Sequence, residues 1–389
     1  MNQNSKFLLR VFEKAKDFTS ISQIPRVPTT YSLNGLEAIS HPKDFTLRAS
    51  LTKRNSLVVA EDQETKKAIG SYGCNIKDMR LFGKKKTIFY AFDFNVHPDY
   101  RNQQIGGLMV RDLDNNIKKE HMKTPANEPL LFTSTSKENV SAKKMVNGID
   151  LNHYCDQKQC AWKVDQLLPL PQLQWEQLTI HITEEKNSRI IKNKWEKAFG
   201  EYNFIPDNFD DLLTFNKKYH ETTYIAQLRK GNVVISEASI SLWNQDLLFQ
   251  IQNTTSATTQ KHRQLYSCYS MGFEKDFTFD YLLTYVHNQQ FKRGINYLFA
   301  GFAGTDPIIK HFPLIPGIKD IEFSAYLRVN NKEERTLLER AIDAQTPIYN
   351  CPRDYGSVHF YTADNSTENY DNNNVEKFQS QKKMMTLYQ

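Results

Sequence analysis

A strand, a Pro turn, a short polar loop and the opening of a helix follow one another directly in Phe92-Asp93-Phe94-Asn95-Val96-His97-Pro98-Asp99-Tyr100-Arg101-Asn102-Gln103-Gln104-Ile105-Gly106-Gly107-Leu108-Met109. Ile88, Tyr90, Phe92, Phe94 and Val96 alternate with Phe89, Ala91, Asp93 and Asn95, which is the period of a strand with two distinct faces. Pro98 ends it, because proline cannot donate to a ladder. From Ile105 the period becomes helical: Ile105, Leu108, Met109, Leu113 and Ile117 form one apolar stripe, with Arg111, Asp112, Asn115, Asn116 and Lys118 turned away from it. The loop therefore lies at a helix N-terminus, where unbonded N–H groups and the positive end of the helix dipole favour an anion. Gly106 and Gly107 let the main chain approach that anion closely, and Arg101 is placed for a charge-assisted contact. The layout predicts a diphosphate pocket.

A chain of 389 residues with 39% hydrophobic and 12% aromatic content can bury two sizeable cores. No apolar run has the length of a membrane-spanning helix, and residues 1–25 lack the apolar stretch and cleavage site of a secretory signal, so a soluble cytoplasmic or nuclear protein is expected. Cys74, Cys155, Cys160, Cys268 and Cys351 are odd in number and scattered, without the spacing of a zinc site; reduced thiols and no metal are expected. The net charge of +6 suits anionic ligands but falls short of a nucleic-acid footprint, so neither nucleic-acid binding nor membrane association is expected. Lys84-Lys85-Lys86 and Lys382-Lys383 read as solvated surface.

The stretch from Phe92 resembles the acyl-CoA-binding motif of the GCN5-related N-acetyltransferase superfamily, Arg/Gln-x-x-Gly-x-Gly/Ala after a strand that ends near a Pro. Here it reads Arg101-x-x-Gln104-x-Gly106, so a side chain stands where the first glycine would be, and φ at 104 must be one that a non-glycine residue tolerates. The resemblance implies an α/β fold with a mixed sheet of α+β character and acetyl-CoA as co-substrate. Main-chain groups of Phe94, Asn95 and Val96 would hold the pantetheine and thioester. Arg101, Asn102, Gln103, Gln104, Ile105, Gly106 and Gly107 would surround the diphosphate. In the superfamily an Asn at the start of the following helix bonds the pantetheine arm; Asn139 takes that place here, with plain helix capping the equally open reading. Where many members carry a Tyr that protonates the departing thiolate stands Val146, and Tyr154 is the candidate substitute.

The resemblance reaches outward. Phe7 to Phe12 reads as a strand and Glu13 to Ile24 as a helix, the pair that commonly opens such a fold, with Arg10 and Asp17 in the expected places. Ser56 to Ala60, Ala68 to Ile76 and Pro129 to Thr135 read as strands, Glu61 to Lys67 and Asp78 to Lys86 as polar turns, and Ser136 to Gly148 as a helix. Leu167-Leu168-Pro169-Leu170-Pro171 breaks both structures and marks a connection. Beyond it Leu178–Thr183, Thr223–Leu228, Val233–Leu242, Leu247–Ile251, Tyr297–Phe302 and Ile321–Val329 read as strands, and Arg189–Phe199, Asp280–Phe291 and a segment from Pro307 as helices. This repeats the first layout and predicts tandem copies: 1–166 binding acetyl-CoA, a linker at 167–177, a second copy at 178–345 and an extension at 346–389, flexible from about 364. After Leu247–Ile251 stands Asn253-Thr254-Thr255-Ser256-Ala257-Thr258 and no phosphate loop, so the second copy reads as degenerate. The combination is most similar to plant Hookless-type N-acetyltransferases, through Val96-His97-Pro98, Ser134 to Ala142 and Ala238 to Trp243.

Acetyl transfer requires an oriented thioester, an unprotonated amine and a donor for the oxyanion. Asp93, on the strand beside the reacting carbonyl, is the candidate base, with pairing to a Lys or Arg of a neighbouring strand the plainer reading. His97 could shuttle protons or be a solvated turn residue. The expected activity is transfer of acetyl to a primary amine of a protein or small molecule; an inactive scaffold of the same fold and a longer-acyl transferase are the alternatives.

Overall fold

The computed structural model describes residues 6–25, 36–40, 44, 46–123, 128–137, 139–147, 151–199, 204–206, 213–214, 217–253, 258–303, 310–312 and 319–343. The first half of the chain runs β1 (Phe7–Val11), α1 (Lys14–Ser22), β2 (Leu36–Ser40), α2 (Thr46–Ala49), β3 (Arg54–Asp62), β4 (Ala68–Leu81), β5 (Lys84–Val96), α3 (Ile105–Lys123), β6 (Leu130–Ser136), α4 (Val140–Asn147) and β7 (Asn152–Lys163). The second runs β8 (Leu178–Glu185), α5 (Ser188–Phe199), β9 (Phe204–Pro206), β10 (His220–Lys230), β11 (Val233–Trp243), β12 (Gln250–Asn253), β13 (Thr259–Gln260), β14 (His262–Gly272), α6 (Lys275–Lys292), β15 (Tyr297–Ala303), β16 (Lys319–Arg328) and α7 (Lys332–Asp343).

One mixed sheet takes nearly all the strands, in the order β1-β3-β4-β5-β6-β16-β7-β15-β14-β11-β10-β8, with β9 beside β4; β13-β12-β2 form a small separate sheet. Exchanging each strand of one half for its counterpart (β1 for β8, β3 for β10, β4 for β11, β5 for β14, β6 for β15, β7 for β16) reproduces this order reversed. The two halves are therefore copies about the middle of the sheet, and they trade their last strands. β16 lies between β6 and β7, and β7 between β16 and β15. Parallel pairing occurs only at β5–β6 and β14–β15 among the described residues, where α3 and α6 supply the crossovers that parallel neighbours need.

Each crossover helix buries its stripe on its own half. Ile105, Met109, Leu113 and Ile117 of α3 pack with Val58, Tyr72, Phe89, Ala91 and Leu131. Phe279, Leu282, Leu283 and Val286 of α6 pack with Trp162, Ala226, Ile240, Leu265 and Leu298. A third core joins Tyr90, Phe92, Phe132 and Tyr154 to Trp195, Tyr219, Trp243 and Tyr266, so the halves share buried surface as well as strands.

The α/β class, the mixed sheet and the repeated layout match the sequence-based expectation, and three local expectations need correction. Asp78 to Lys86 is no polar turn: β4 and β5 run on as one long hairpin, closed at Phe82-Gly83, whose φ angles of 50° and 75° suit a tight primed turn. Leu247 to Ile251 is not the second half's central strand; Gln245–Leu247 is a single 3-10 turn, and Gln250–Asn253 belongs to the small sheet with β2. The central strand is β14, whose Gln264, Ser267 and Ser270 dilute its apolar period. Ser136, read as the start of the helix that follows, ends β6, and α4 begins at Val140. The segment from Pro307, apart from 310–312, and the extension from 346 lie outside the described residues. Residues 167–177 carry no strand or helix; Leu168 is fixed by both its N–H and C=O to the Asn288 side chain of α6, at 2.8 Å each.

Candidate active site

β5 pairs with β6 only at Ile88, Phe89 and Tyr90, and the next carbonyl, Ala91, accepts from Thr133 Oγ1 at 2.9 Å. Beyond this point β5 leaves β6. The turn-away is built into a bulge: Asp93 has φ 53°, and the register with β4 jumps from Gly73–Phe92 to Ser71–Asn95. The bulge also corrects the expected strict alternation, because Phe94 and Val96 now pack on the α3 side while Tyr90 and Phe92 stay on the other. Phe94 stacks on Tyr72 with ring centroids 5.0 Å apart, and Tyr72 donates to Asp112 of α3 at 2.6 Å. The Asn95 side chain donates to the Asp93 carbonyl at 3.0 Å, stitching the bulge to itself.

The loop follows as a 3-10 turn at Pro98–Tyr100, with His97 Nδ1 accepting from the Asp99 N–H at 3.3 Å; His97 is thus a turn cap. Arg101 Nε donates to the Val96 carbonyl at 3.3 Å, and Gln103 Nε2 donates to the Asp99 carbonyl at 3.3 Å. Asn102 and Gln104 both occupy the left-handed region, at φ 63° and 62°. Gln104 therefore adopts the backbone conformation that a glycine would take most readily, with its side chain exposed to solvent. The first intrahelical bond of α3 runs from Leu108 N–H to the Gln104 carbonyl, so the N–H groups of Ile105, Gly106 and Gly107 precede the ladder. Ile105 itself is anchored in the core, and nothing lies within 4 Å of a Cβ built on Gly106.

From these two glycines a cleft of about 1020 Å³ runs between α3 and α4, lined by Val110, Arg111, Asp114, Ile117, Lys118 and His121 of α3, Ser141, Lys144 and Met145 of α4, and Glu128, Pro129, Arg328 and Asn330. Four cationic side chains face two carboxylates, one of which, Asp114, is paired with Arg328 at 2.8 Å. The buried Nδ1 of His121 has no hydrogen-bond partner among the described residues. Sequence periodicity turned Arg111 and Lys118 away from the core correctly, but gave no sign that α4 faces them across a cleft.

No protein-family model and no curated protein sequence matches this chain. Solved structures do. A GCN5-related N-acetyltransferase from Sphaerobacter thermophilus superposes with a TM-score of 0.56 at 14% identity, over 84% of this chain and 96% of that one. Saccharomyces cerevisiae N-myristoyltransferase with bound myristoyl-CoA gives 0.53 at 12% identity, over 84% and 80%. A GCN5-related glucosamine N-acetyltransferase region of a fungal multi-domain β-N-acetylglucosaminidase gives 0.56 at 11%, over 84% and 38%. The fold is that of the GCN5-related N-acetyltransferases.

Within this acetyltransferase fold the side chains expected to do chemistry are otherwise engaged. Asp93 is paired, as its plainer reading expected, but with Arg48 of helix α2 at 3.1 Å and not with a cation of a neighbouring strand; Arg48 also bonds the Tyr90 hydroxyl at 2.5 Å and covers the Phe92 ring at 4.8 Å. Arg48 escaped sequence reading because α2 is four residues long, too short to show a period. Tyr154 lies in the shared core at 1% exposure, edge-on to Phe132 at 5.9 Å, rather than at the end of β5. Asn139 accepts from the Ala142 N–H at 3.0 Å, so it caps α4. Val146 is core packing against the α3 side.

The second half's counterpart of the loop is built differently. β14 pairs with β15 only through Leu265 and then turns into α6 through Phe273 and Glu274, without a phosphate loop. A Cβ on Gly272 would meet the Ile235 carbonyl at 2.4 Å, and Lys310–Asp276 and His311–Asp280 contacts of 2.6 Å tie residues 310–311 to α6.

Proposed function

We propose that the protein is an acyl-CoA-dependent N-acyltransferase that moves acetyl from acetyl-CoA to a primary amine. The observation that carries this reading is the meeting, at one end of α3, of a strand that has left its neighbour, three N–H groups ahead of the helix ladder, and a predominantly cationic cleft. CoA is a polyanion with a long neutral arm. The helix terminus and cleft suit its phosphates, and the strand gap suits the arm and thioester, where N–H groups can polarise the carbonyl as the amine attacks and the C–S bond breaks. The fold's solved relatives, N-acetyltransferases and N-myristoyltransferases by name, support the reaction class. In the same reading 1–166 holds the donor, 178–345 is a degenerate copy beside the acceptor, and the chain resembles the Hookless-type group.

The test is thiol release from acetyl-CoA and, in a parallel arm, myristoyl-CoA, with amino-terminal peptides, lysine peptides and small amines as acceptors. Amine-dependent release from acetyl-CoA is expected. A chain that neither binds CoA nor releases thiol with any donor is the scaffold of the second reading, which the engagement of Asp93 with Arg48 and the burial of Tyr154 favour. Release from myristoyl-CoA alone replaces acetyl by a long chain.

A further inference from the structure

We infer that Arg111, one and a half turns into α3 and outside the loop, is the cation of the diphosphate site. The inference rests on the acyl-CoA reading above and goes beyond it by moving the charge from the loop to the helix. Arg101, the loop arginine, spends its Nε on the Val96 carbonyl and stays with the strand end. Arg111 instead folds back along the helix, as long helical side chains do, and its Nη1 lies 3.7 Å from where a Cβ on Gly107 would stand. The guanidinium thus sits over the same turn that offers the N–H groups of Ile105, Gly106 and Gly107. It lines the cleft and enters no ion pair among the described residues. A planar, permanently charged fork beside a row of N–H groups matches a diphosphate in both charge and geometry. A Cβ on Gly107 would rest in ordinary van der Waals contact with the guanidinium, so the first turn of the helix and the cation lie directly against each other.

The test compares the affinities of CoA and pantetheine, which lacks every phosphate, by calorimetry. The ratio of the two cancels any general effect on the fold and reports the phosphorylated nucleotide as a whole, and a third arm with 4′-phosphopantetheine and dephospho-CoA separates the phosphates from the adenosine and from the 3′-phosphate. In Arg111→Ala the ratio should fall by about ten- to a hundredfold, the size of one charge-assisted contact, while Arg111→Lys keeps part of it. Arg111→Gln, which keeps a polar chain of similar length without the charge, should lower the ratio in the same direction and serves if Arg111→Ala folds poorly. A ratio unchanged in Arg111→Ala, or one that collapses in Arg101→Ala instead, overturns the inference and leaves the acyl-CoA reading standing. A parent chain that binds no CoA overturns both.

Discussion

Gln104 shows what a single residue costs and permits. Its φ of 62° is tolerated by a non-glycine residue only with strain, of the order of 1 kcal/mol, and its side chain points to solvent instead of into the phosphate turn. Gln104→Gly should therefore stabilise the protein by up to about 1 kcal/mol, less whatever glycine's freedom in the unfolded chain takes back, and chemical denaturation measures it. A loss of more than about 1 kcal/mol would mean that the glutamine makes contacts that the structure does not show. His220 is the second residue with a legible consequence. It shares a hydrogen bond with Tyr266 in the common core, and burial pushes its pKa down from 6.5 to about 4. The folded state thus resists a proton that the unfolded chain accepts, so the stability this site contributes is full above about 6.5 and drains away as pH falls through about 4. His220→Gln should flatten the decline of Tm between these values; an unchanged slope would place the titration elsewhere.

At the scale of elements, the join between β5 and α3 sets the site. Phe94 leans on Tyr72 and Tyr72 is bonded to Asp112, so the strand end and the helix are held as one piece. Tyr72→Phe keeps the stack and removes the bond; it should cost about 1–3 kcal/mol in denaturation, because it strips a partner from a partly buried carboxylate. The opening strand and helix are fastened by charge instead: Asp17 and Glu61 both grip Arg10, at 2.6 and 2.7 Å. Burial alone would raise the Asp17 carboxyl, but hydrogen bonds from Arg10 and the Glu13 N–H outweigh it and hold the carboxyl below its ordinary range. That stability is present at neutral pH and is lost only in acid. Of this architecture, the strand-loop-helix at Phe92–Met109 was legible, because period 2 gives way to period 3.6 across a proline. The bulge at Asp93 was not, since a positive φ on an Asp leaves no pattern in its neighbours. Nor was β14, whose serines and glutamine mask a buried strand, or Arg48, whose meaning depends on a contact 45 residues away.

The whole molecule is two copies made inseparable by exchange. Since β16 completes the first copy and β7 the second, a fragment of residues 1–177 lacks a strand between β6 and β7 and should not form a stable folded species by circular dichroism. Co-expression with 178–389 should restore the fold; a cooperative, monomeric 1–177 would show the exchange to be dispensable. Symmetry of the backbone does not extend to chemistry, because the second crossover helix starts without a phosphate loop and is tied to residues 310–311. One donor site per chain follows, and calorimetric titration with acetyl-CoA tests this most directly. The parent should bind one equivalent, and Gly106→Trp, which meets nothing within 4 Å at its Cβ and so should fold, should bind none. No binding by the parent at millimolar ligand, or undiminished binding by Gly106→Trp, would contradict the site described here.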